Sequence, residues 1–178
     1  MTSESDSRSD ERIKHTLSRW GIGKKLVAVS ALYAIPAGIF TYLYPNLFII
    51  PIPRWALTAA GGILLLVGIP LLGWAACTFT VGFNQGNLVT NGLFSLVRNP
   101  IYAVWMFFLI PGIALLCASW LLLLTPLVTY LGFTRLIQIE ESYLTKRFGQ
   151  RYLDYRARTH ALWPGSTLAR RRVQRRVK

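Results

Sequence analysis

Long uninterrupted apolar runs dominate the chain. Two of them, at about 26–45 and about 55–79, can cross a bilayer core, which needs roughly 20 helical residues. A third run, at about 100–138, is too long for one span, and a break near 117–119 would turn it into a tight helical hairpin. The pattern predicts an all-α, polytopic membrane protein with about four transmembrane helices, the last two forming the hairpin.

Two polar stretches interrupt and follow these runs. Gly and Asn recur in 80–99 without a helical period, which predicts a loop between the second and third spans. Residues 139–160 are amphipathic and charged, which predicts a C-terminal cytoplasmic helix at the membrane surface. We therefore expect a polar N-terminal segment at 1–25, a membrane domain at 26–165 and a basic tail at 166–178.

Composition and charge agree with a membrane protein. The 178 residues are 53% hydrophobic, with a mean hydropathy of +0.39 and a net charge of +13. Lys and Arg flank the first and last spans, whereas the connection at 46–54 carries only Arg54, so the positive-inside rule puts both termini in the cytoplasm. Residues 1–20 lack the apolar core of a signal peptide, so the first span is expected to direct insertion. Because the basic residues flank spans, we expect no nucleic-acid partner.

The tail is the most basic segment. Six of the nine residues from Arg170 to Lys178 are Lys or Arg. Such a cluster binds an anionic lipid surface at about 1 kcal/mol per basic residue, or serves only as a topology signal. The sequence leaves both interpretations open.

Cysteine and histidine give no sign of a disulfide or a metal centre. Cys77 and Cys117 lie within apolar runs and are expected to be small buried hydrophobes. His15 and His160 lie in polar flanks without a partner at metal-ligand spacing. We therefore expect no resident metal ion.

A helix start at the end of the polar loop is the first candidate binding feature. Asn99 is a favoured N-cap, and Pro100 suits the first helical position. Free backbone N–H groups at this helix start, with Arg98 beside them, would suit a carboxylate or phosphate. A capped helix whose arginine reaches the membrane surface explains the same residues.

A pair of adjacent carboxylates is the second candidate. After Arg12 the chain has three acidic residues, and two of them are Glu140 and Glu141 at the end of the last apolar run. Ionisable residues at membrane depth are costly and usually functional, although a solvated helix end also explains them. Neighbouring helical residues point about 100° apart, so one carboxylate could hold a ligand while the other orients it or pairs with arginine. Arg135 is expected to contact the ligand or another helix.

Two segments together resemble a known group of enzymes. NLVTNGLFSLVRNPIY, followed after the predicted hairpin by EESYLTKRFGQRYLDYRARTHALWP, resembles the isoprenylcysteine carboxyl methyltransferase and phospholipid methyltransferase families of integral membrane proteins. The resemblance covers about 80–165. It rests on Gly92, Phe94, Arg98, Pro100, Tyr102, Glu140, Glu141, Leu144, Phe148, Gly149, Tyr152, Tyr155 and Pro164. Asn99 stands where these families usually have histidine, and asparagine cannot shuttle protons near neutral pH.

The resemblance implies S-adenosyl-L-methionine as methyl donor and a methyltransferase domain at 26–165 whose cofactor-binding part is 80–165. It implies catalytic roles for Arg98, Tyr102, Arg135 and Glu140. It implies cofactor contacts from Val89, Gly92, Phe94, Val97, Arg98, Asn99, Pro100, Tyr102, Glu140, Glu141 and Tyr155. The two carboxylates would accept hydrogen bonds from the cofactor's ammonium and ribose hydroxyls, Arg98 would meet its carboxylate, and aromatic rings would face its sulfonium.

The implied methyl acceptor is a lipophilic or small nucleophile: an isoprenylcysteine-type carboxylate, a phospholipid amine or a thiol. Because the methyl donor is already activated, transfer would depend mostly on positioning and desolvation. Only an amine or a protonated thiol would need a base, and no dedicated base is evident. Two alternatives stay open. An NADPH-dependent membrane sterol or lipid reductase resembles the C-terminal half, although such enzymes usually have longer chains and more spans. A non-enzymatic membrane scaffold would keep the motif as structure.

The predicted topology can be tested by thiol labelling in intact cells. Ser3→Cys, Ile50→Cys and Lys178→Cys would each be made in a background that lacks Cys77 and Cys117. We expect an impermeant thiol reagent to label only the Ile50→Cys protein, because the other two positions adjoin the cytoplasmic positive clusters. Labelling of Ser3→Cys or Lys178→Cys from outside would contradict this orientation.

Overall fold

The computed structural model describes residues 22–163, and its secondary structure there is helical apart from two isolated backbone bridges. The helices are α1 (Gly23–Leu43), α2 (Pro45–Phe48), α3 (Arg54–Asn84), α4 (Pro100–Leu116), α5 (Thr125–Phe148) and α6 (Gln150–Arg158). Helices α1, α3 and α5 are long and apolar enough to cross a membrane, and α4 is a shorter apolar helix. This confirms an all-α polytopic membrane protein. Most of the predicted N-terminal segment and the whole basic tail lie outside the described residues.

Two predicted helix boundaries are wrong. Helix α3 continues through Asn84, five residues into the predicted loop, and the chain turns only at Gly86, whose φ is 69°. Helix α5 continues through Phe148 because neither Gly nor Pro occurs between Gly132 and Gly149. The helix predicted over 139–160 is therefore divided at Gly149, where φ is 56°, and α6 alone is the separate surface helix.

Helix α4 contains a π turn at Trp105–Leu109. Pro111 follows it and has no N–H to donate to the preceding turn, so a wider turn accommodates the missing hydrogen bond. The helix ends in the turn at 117–119, as the hairpin prediction required, and Ala118 there has a φ of 51°.

The four apolar helices pack as two pairs. Helix α1 packs mainly on α5, and α3 packs mainly on α4. Hydroxyl groups join α1 to α5 and to the hairpin turn inside the bundle: Ser30 lies 2.8 Å from Thr129 of α5, and Thr41 lies 2.7 Å from Ser119 of the turn. Such hydrogen bonds help to hold helices together in a membrane, because lipid tails are as apolar as the side chains and burial between helices gives no hydrophobic gain.

One end of the bundle brings distant parts of the sequence together. The backbone N–H of Arg98 donates to the carbonyl of His160 at 2.7 Å, and that of Asn99 donates to the carbonyl of Ala161 at 3.1 Å. Ile22, before α1, and Leu162 lie in one buried cluster with residues of α4 and α5. The start of α1, the end of the loop and the C-terminal segment therefore share one end of the bundle, as an even number of spans requires.

The prediction that both cysteines are buried is wrong, because Cys77 and Cys117 are exposed on the protein surface. Cys77 is on α3 and Cys117 is in the hairpin turn, and a small, weakly polar thiol is tolerated at an apolar surface.

A close approach of α3 to α4 yields a stability prediction. A Cβ atom added to Gly61 would lie 2.7 Å from the carbonyl oxygen of Gly112, whereas one added to Gly62 would have nothing within 4 Å. We expect Gly61→Ala to force the helices apart and to destabilise the protein by about 1–3 kcal/mol, as overpacking does. Gly62→Ala is the matched control and should leave stability unchanged or raise it.

Thermal unfolding of both variants in the same detergent measures the difference. Equal unfolding temperatures for the two variants would contradict this close approach.

Candidate active site

A cavity of about 910 Å³ lies where α1 begins, α3 ends, α4 begins and α5 ends; we call it the interhelical cavity. Its charged and polar lining includes Lys24, Arg98, Asn99, Tyr102, Glu140 and Arg147. Aromatic rings line it from α3, α4, α5, the loop and α6: Phe79, Phe83, Phe94, Trp105, Tyr143, Phe148, Tyr152 and Tyr155. We call its deeper, aliphatic part the apolar arm: Leu26, Val27, Leu72, Ala76 and Ile101, with Trp105.

Glu140 faces the interhelical cavity. The hydroxyl of Tyr102 donates to its carboxylate at 3.3 Å, and both residues line the cavity. The backbone of Ile22 and Gly23, where α1 begins, also lies beside this pair, so the carboxylate sits near the positive end of the helix dipole. Glu140 thus keeps acceptor capacity for a ligand while two helices hold it in place.

Glu141 has a different environment. Its carboxylate is buried and lies 2.8 Å from Arg98 and 3.1 Å from Arg156, and it does not line the cavity. One terminal nitrogen of Arg98 also donates weakly to the carbonyl of Arg156, at 3.5 Å. The expected division between a ligand-facing carboxylate and an arginine-paired one therefore matches the geometry, with Glu140 in the first position and Glu141 in the second.

The same contacts limit what Arg98 can bind. The sequence predicts that Arg98 is free to bind an anion. In the structure its guanidinium forms an ion pair with Glu141, and its Nε is buried without a partner among the described residues. Arg98 still lines the cavity, and two arginines on one carboxylate leave a net positive charge. An anionic group in the cavity would therefore still be attracted.

Tyr155 joins α6 to the loop. Its hydroxyl donates to the carbonyl of Phe94 at 2.6 Å, and the Phe94 ring stacks on Phe79 of α3 with centroids 6.2 Å apart. Burial raises the pKa of Tyr155 above its usual range, and burial followed by the Glu141 carboxylate raises the pKa of Tyr152 to about 12. Both phenols are therefore neutral hydrogen-bond donors near pH 7.

Asn99 occupies the N-cap position of α4, as predicted, but its side chain makes no capping hydrogen bond. Its amide donates instead to the carbonyl of Ala161 at 3.2 Å. The bridge between Val97 and His160 brings that carbonyl beside the helix start. The side chain therefore fastens the C-terminal segment to one wall of the cavity.

Most of the residues singled out from the sequence line the interhelical cavity: Val89, Phe94, Arg98, Asn99, Pro100, Tyr102, Glu140 and Tyr155. Gly92, Val97, Glu141 and Arg135 do not. Gly92 has a φ of 58° and lies against the ring of Trp74, and Val97 is in the buried cluster. Arg135 is exposed, because five helical residues before Glu140 place it about 140° around α5.

Sequence reasoning assigned no ligand contact to several lining residues, although Leu144 and Phe148 are among those that carry the family resemblance. One face of α5 continues the cavity lining after Glu140 at helical spacing, with Tyr143, Leu144, Arg147 and Phe148. This spacing was not recognised because the helix was predicted to end before these residues. Phe79 and Phe83 stack one turn apart near the end of α3. Lys24 belongs to the Lys and Arg cluster that flanks the first span, which the sequence explains by topology alone.

A second, more open cavity of about 1210 Å³ lies across the loop residues Asn87, Leu88 and Val89, which line both cavities. It is larger, but Arg98, Tyr102 and Glu140 do not line it. The chemistry-bearing residues therefore favour the interhelical cavity as the active site.

Comparisons with known proteins identify the family and several relatives of this chain. The family model described as phospholipid methyltransferase matches residues 52–151. The chain is 33% identical over 127 residues to a protein-S-isoprenylcysteine O-methyltransferase of Xenopus laevis, covering 66% of this chain and 43% of that relative.

Two rice relatives are also similar. Proteins from the indica and japonica subspecies of Oryza sativa, each named a probable protein-S-isoprenylcysteine O-methyltransferase, are 24% identical over 119 residues, or 62% of either chain. This chain thus spans less than two thirds of the length of these relatives, and no solved structure matches it. Because the family match covers more than half of the 178 residues, this protein belongs to the phospholipid methyltransferase family.

Proposed function

We propose that this protein is an integral membrane methyltransferase that transfers a methyl group from S-adenosyl-L-methionine to a lipophilic nucleophile. One observation carries the proposal: a single cavity joins a polar, aromatic end at Glu140 and Tyr102 to an apolar arm between membrane helices. The family match and the names of the relatives support the same chemistry. They do not favour the NADPH reductase alternative.

The lining of the interhelical cavity fits the cofactor. Its volume lies within the roughly 300–1,000 Å³ typical of small-molecule sites. Glu140 can accept hydrogen bonds from an ammonium or from ribose hydroxyls, and Arg98 attracts a carboxylate. The rings of Phe94, Tyr102 and Tyr155 can face a sulfonium, because aromatic faces attract cations.

The apolar arm suits the acceptor. Leu26 and Val27 of α1 and Leu72 and Ala76 of α3 line it from two helices that pack mainly on other partners. A hydrocarbon chain there would gain about 25 cal/mol for each Å² of apolar surface removed from water. We therefore propose a methyl acceptor anchored by a lipid or isoprenoid chain.

The residues of this chain act chiefly by positioning. When bound, S-adenosyl-L-methionine supplies an activated methyl group, whose bond to sulfur breaks as the acceptor's lone pair bonds to the carbon. Glu140 and Tyr102 would hold the polar groups of the ligand in line with the arm. The aromatic lining would exclude water from the reacting atoms. We place this end of the bundle on the cytoplasmic side, because the flanking Lys and Arg cluster there.

Glu140→Gln tests the cofactor site. Glutamine can still accept the Tyr102 hydrogen bond, so the fold should survive, but the charge that assists a bond to the cofactor is removed. A charge-assisted hydrogen bond is worth roughly 1.5–3 kcal/mol, so affinity for S-adenosyl-L-methionine should fall about 10- to 150-fold. Isothermal titration calorimetry of purified protein measures this change.

Glu141→Gln is the matched control at the neighbouring position. It removes the carboxylate shared by Arg98 and Arg156, so we expect a lower unfolding temperature. Breaking a buried ion pair costs up to about 3–5 kcal/mol, less here because Arg156 is half exposed.

If the wild-type protein binds the cofactor and Glu140→Gln binds it equally well, the site lies elsewhere. If the wild-type protein does not bind it, the proposed function is wrong.

A further inference from the structure

Two cations line the interhelical cavity without an ionic partner in the part of the chain that the structure describes. Lys24 is in the first turn of α1, and Arg147 is in the last turn of α5. The ion pairs formed within residues 22–163 join Glu141 to Arg98 and to Arg156, and neither involves Lys24 or Arg147. Both side chains are exposed, so their charges are available to a ligand.

Arg147 is held at the cavity by aromatic side chains. Its guanidinium lies 5.3 Å from the centre of the Phe148 ring and 5.8 Å from that of Phe83, and it donates to the hydroxyl of Tyr143 at 3.1 Å. These contacts fix the side chain while leaving most of its N–H donors free.

Lys24 and Arg147 line the same cavity as the apolar arm, and each adjoins a different helix of that arm. Lys24 lies on α1 within one turn of the arm residues Leu26 and Val27. Arg147 lies against Phe83, which ends the face of α3 that carries Leu72 and Ala76. A molecule with a hydrocarbon chain in the arm would therefore present its head group to both cations.

Charge in the cavity favours a negative head group. Lys24, Arg98 and Arg147 line it, against the single carboxylate of Glu140. The proposed cofactor has two positive groups, its sulfonium and its ammonium, and one carboxylate, so its net charge is positive. Binding it would therefore increase the excess of positive charge in the cavity. An oxyanion on the acceptor would relieve this excess, whereas a cationic head group would increase it.

We propose that Lys24 and Arg147 determine acceptor specificity by binding a carboxylate or phosphate oxyanion at the head of an amphiphile whose chain fills the apolar arm. This inference rests on the proposed function for one point, that the bound amphiphile is the methyl acceptor. The alternative source of the same oxyanion is the carboxylate of the cofactor, and the experiment separates the two.

The test uses the full-length protein in nanodiscs of zwitterionic lipid, with tritiated myristate and tritiated myristamide as probes. The two probes share one chain and differ in the charge of the head group, and binding to empty nanodiscs is subtracted. Because an exposed ion pair is worth about 1.4- to 5-fold in affinity, we expect wild-type protein to prefer myristate about 2- to 25-fold. Raising the salt concentration should weaken the preference.

Lys24→Gln and Arg147→Gln together should lower myristate affinity about 2- to 25-fold and leave myristamide affinity unchanged. The matched control is Lys25→Gln with Lys146→Gln, which removes two neighbouring exposed cations that do not line the cavity. The control should keep the wild-type preference, and unfolding temperatures check that both double variants fold.

Binding of S-adenosyl-L-methionine is measured on the same proteins. If the Lys24 and Arg147 variant loses cofactor affinity and keeps myristate affinity, the cations serve the cofactor and the inference is overturned. Equal wild-type affinity for myristate and myristamide also overturns it. If the wild-type protein shows the myristate preference but binds no cofactor, the proposed function fails while the oxyanion site stands.

Discussion

The ion pairs of Glu141 connect the parts of the chain that form the site. This carboxylate on α5 lies 2.8 Å from Arg98, just before α4, and 3.1 Å from Arg156 on α6, so it joins three regions remote in sequence. The side chains of Glu141 and Arg98 are each only 11% exposed, and charges so far from water are tolerated only when paired. The helix start at Pro100 and the loop held by Tyr155 are positioned around this cluster.

The neighbouring Glu140 is free for a ligand because Glu141 satisfies the arginines. Adjacent helical positions point about 100° apart. The same turn of α5 therefore directs Glu141 to the arginines and Glu140 to the interhelical cavity. The membrane reinforces this separation, since an unpaired charge on the lipid-facing side would be costly. A site for a polar cofactor can thus lie next to an apolar arm without exposing charge to lipid.

The helices and the carboxylate pair could be predicted from sequence, because apolar runs and rare carboxylates are local signals. Most of the other predicted residues that line the cavity came from the family resemblance. Three features could not be predicted. The extension of α5 to Phe148 crosses the change from apolar to charged residues near 139, where the hydrophobic pattern ends, and it carries the cavity face that includes Arg147. The pairing of Arg98 with Glu141 joins residues on different helices, for which a single sequence carries no register. Asn99 bonds Ala161 rather than its own helix, because a distant backbone bridge brings that carbonyl within reach.

The central claim is that one cavity holds both the methyl donor and the acceptor's chain. A structure of the protein in lipid nanodiscs with S-adenosylhomocysteine, the demethylated product of the donor, tests it most directly. We expect the product in the interhelical cavity, with its amino group or ribose beside Glu140 and its sulfur facing the apolar arm. Density for the product in the more open cavity lined by Arg151 and Asp154, or at no site within the bundle, would contradict the account.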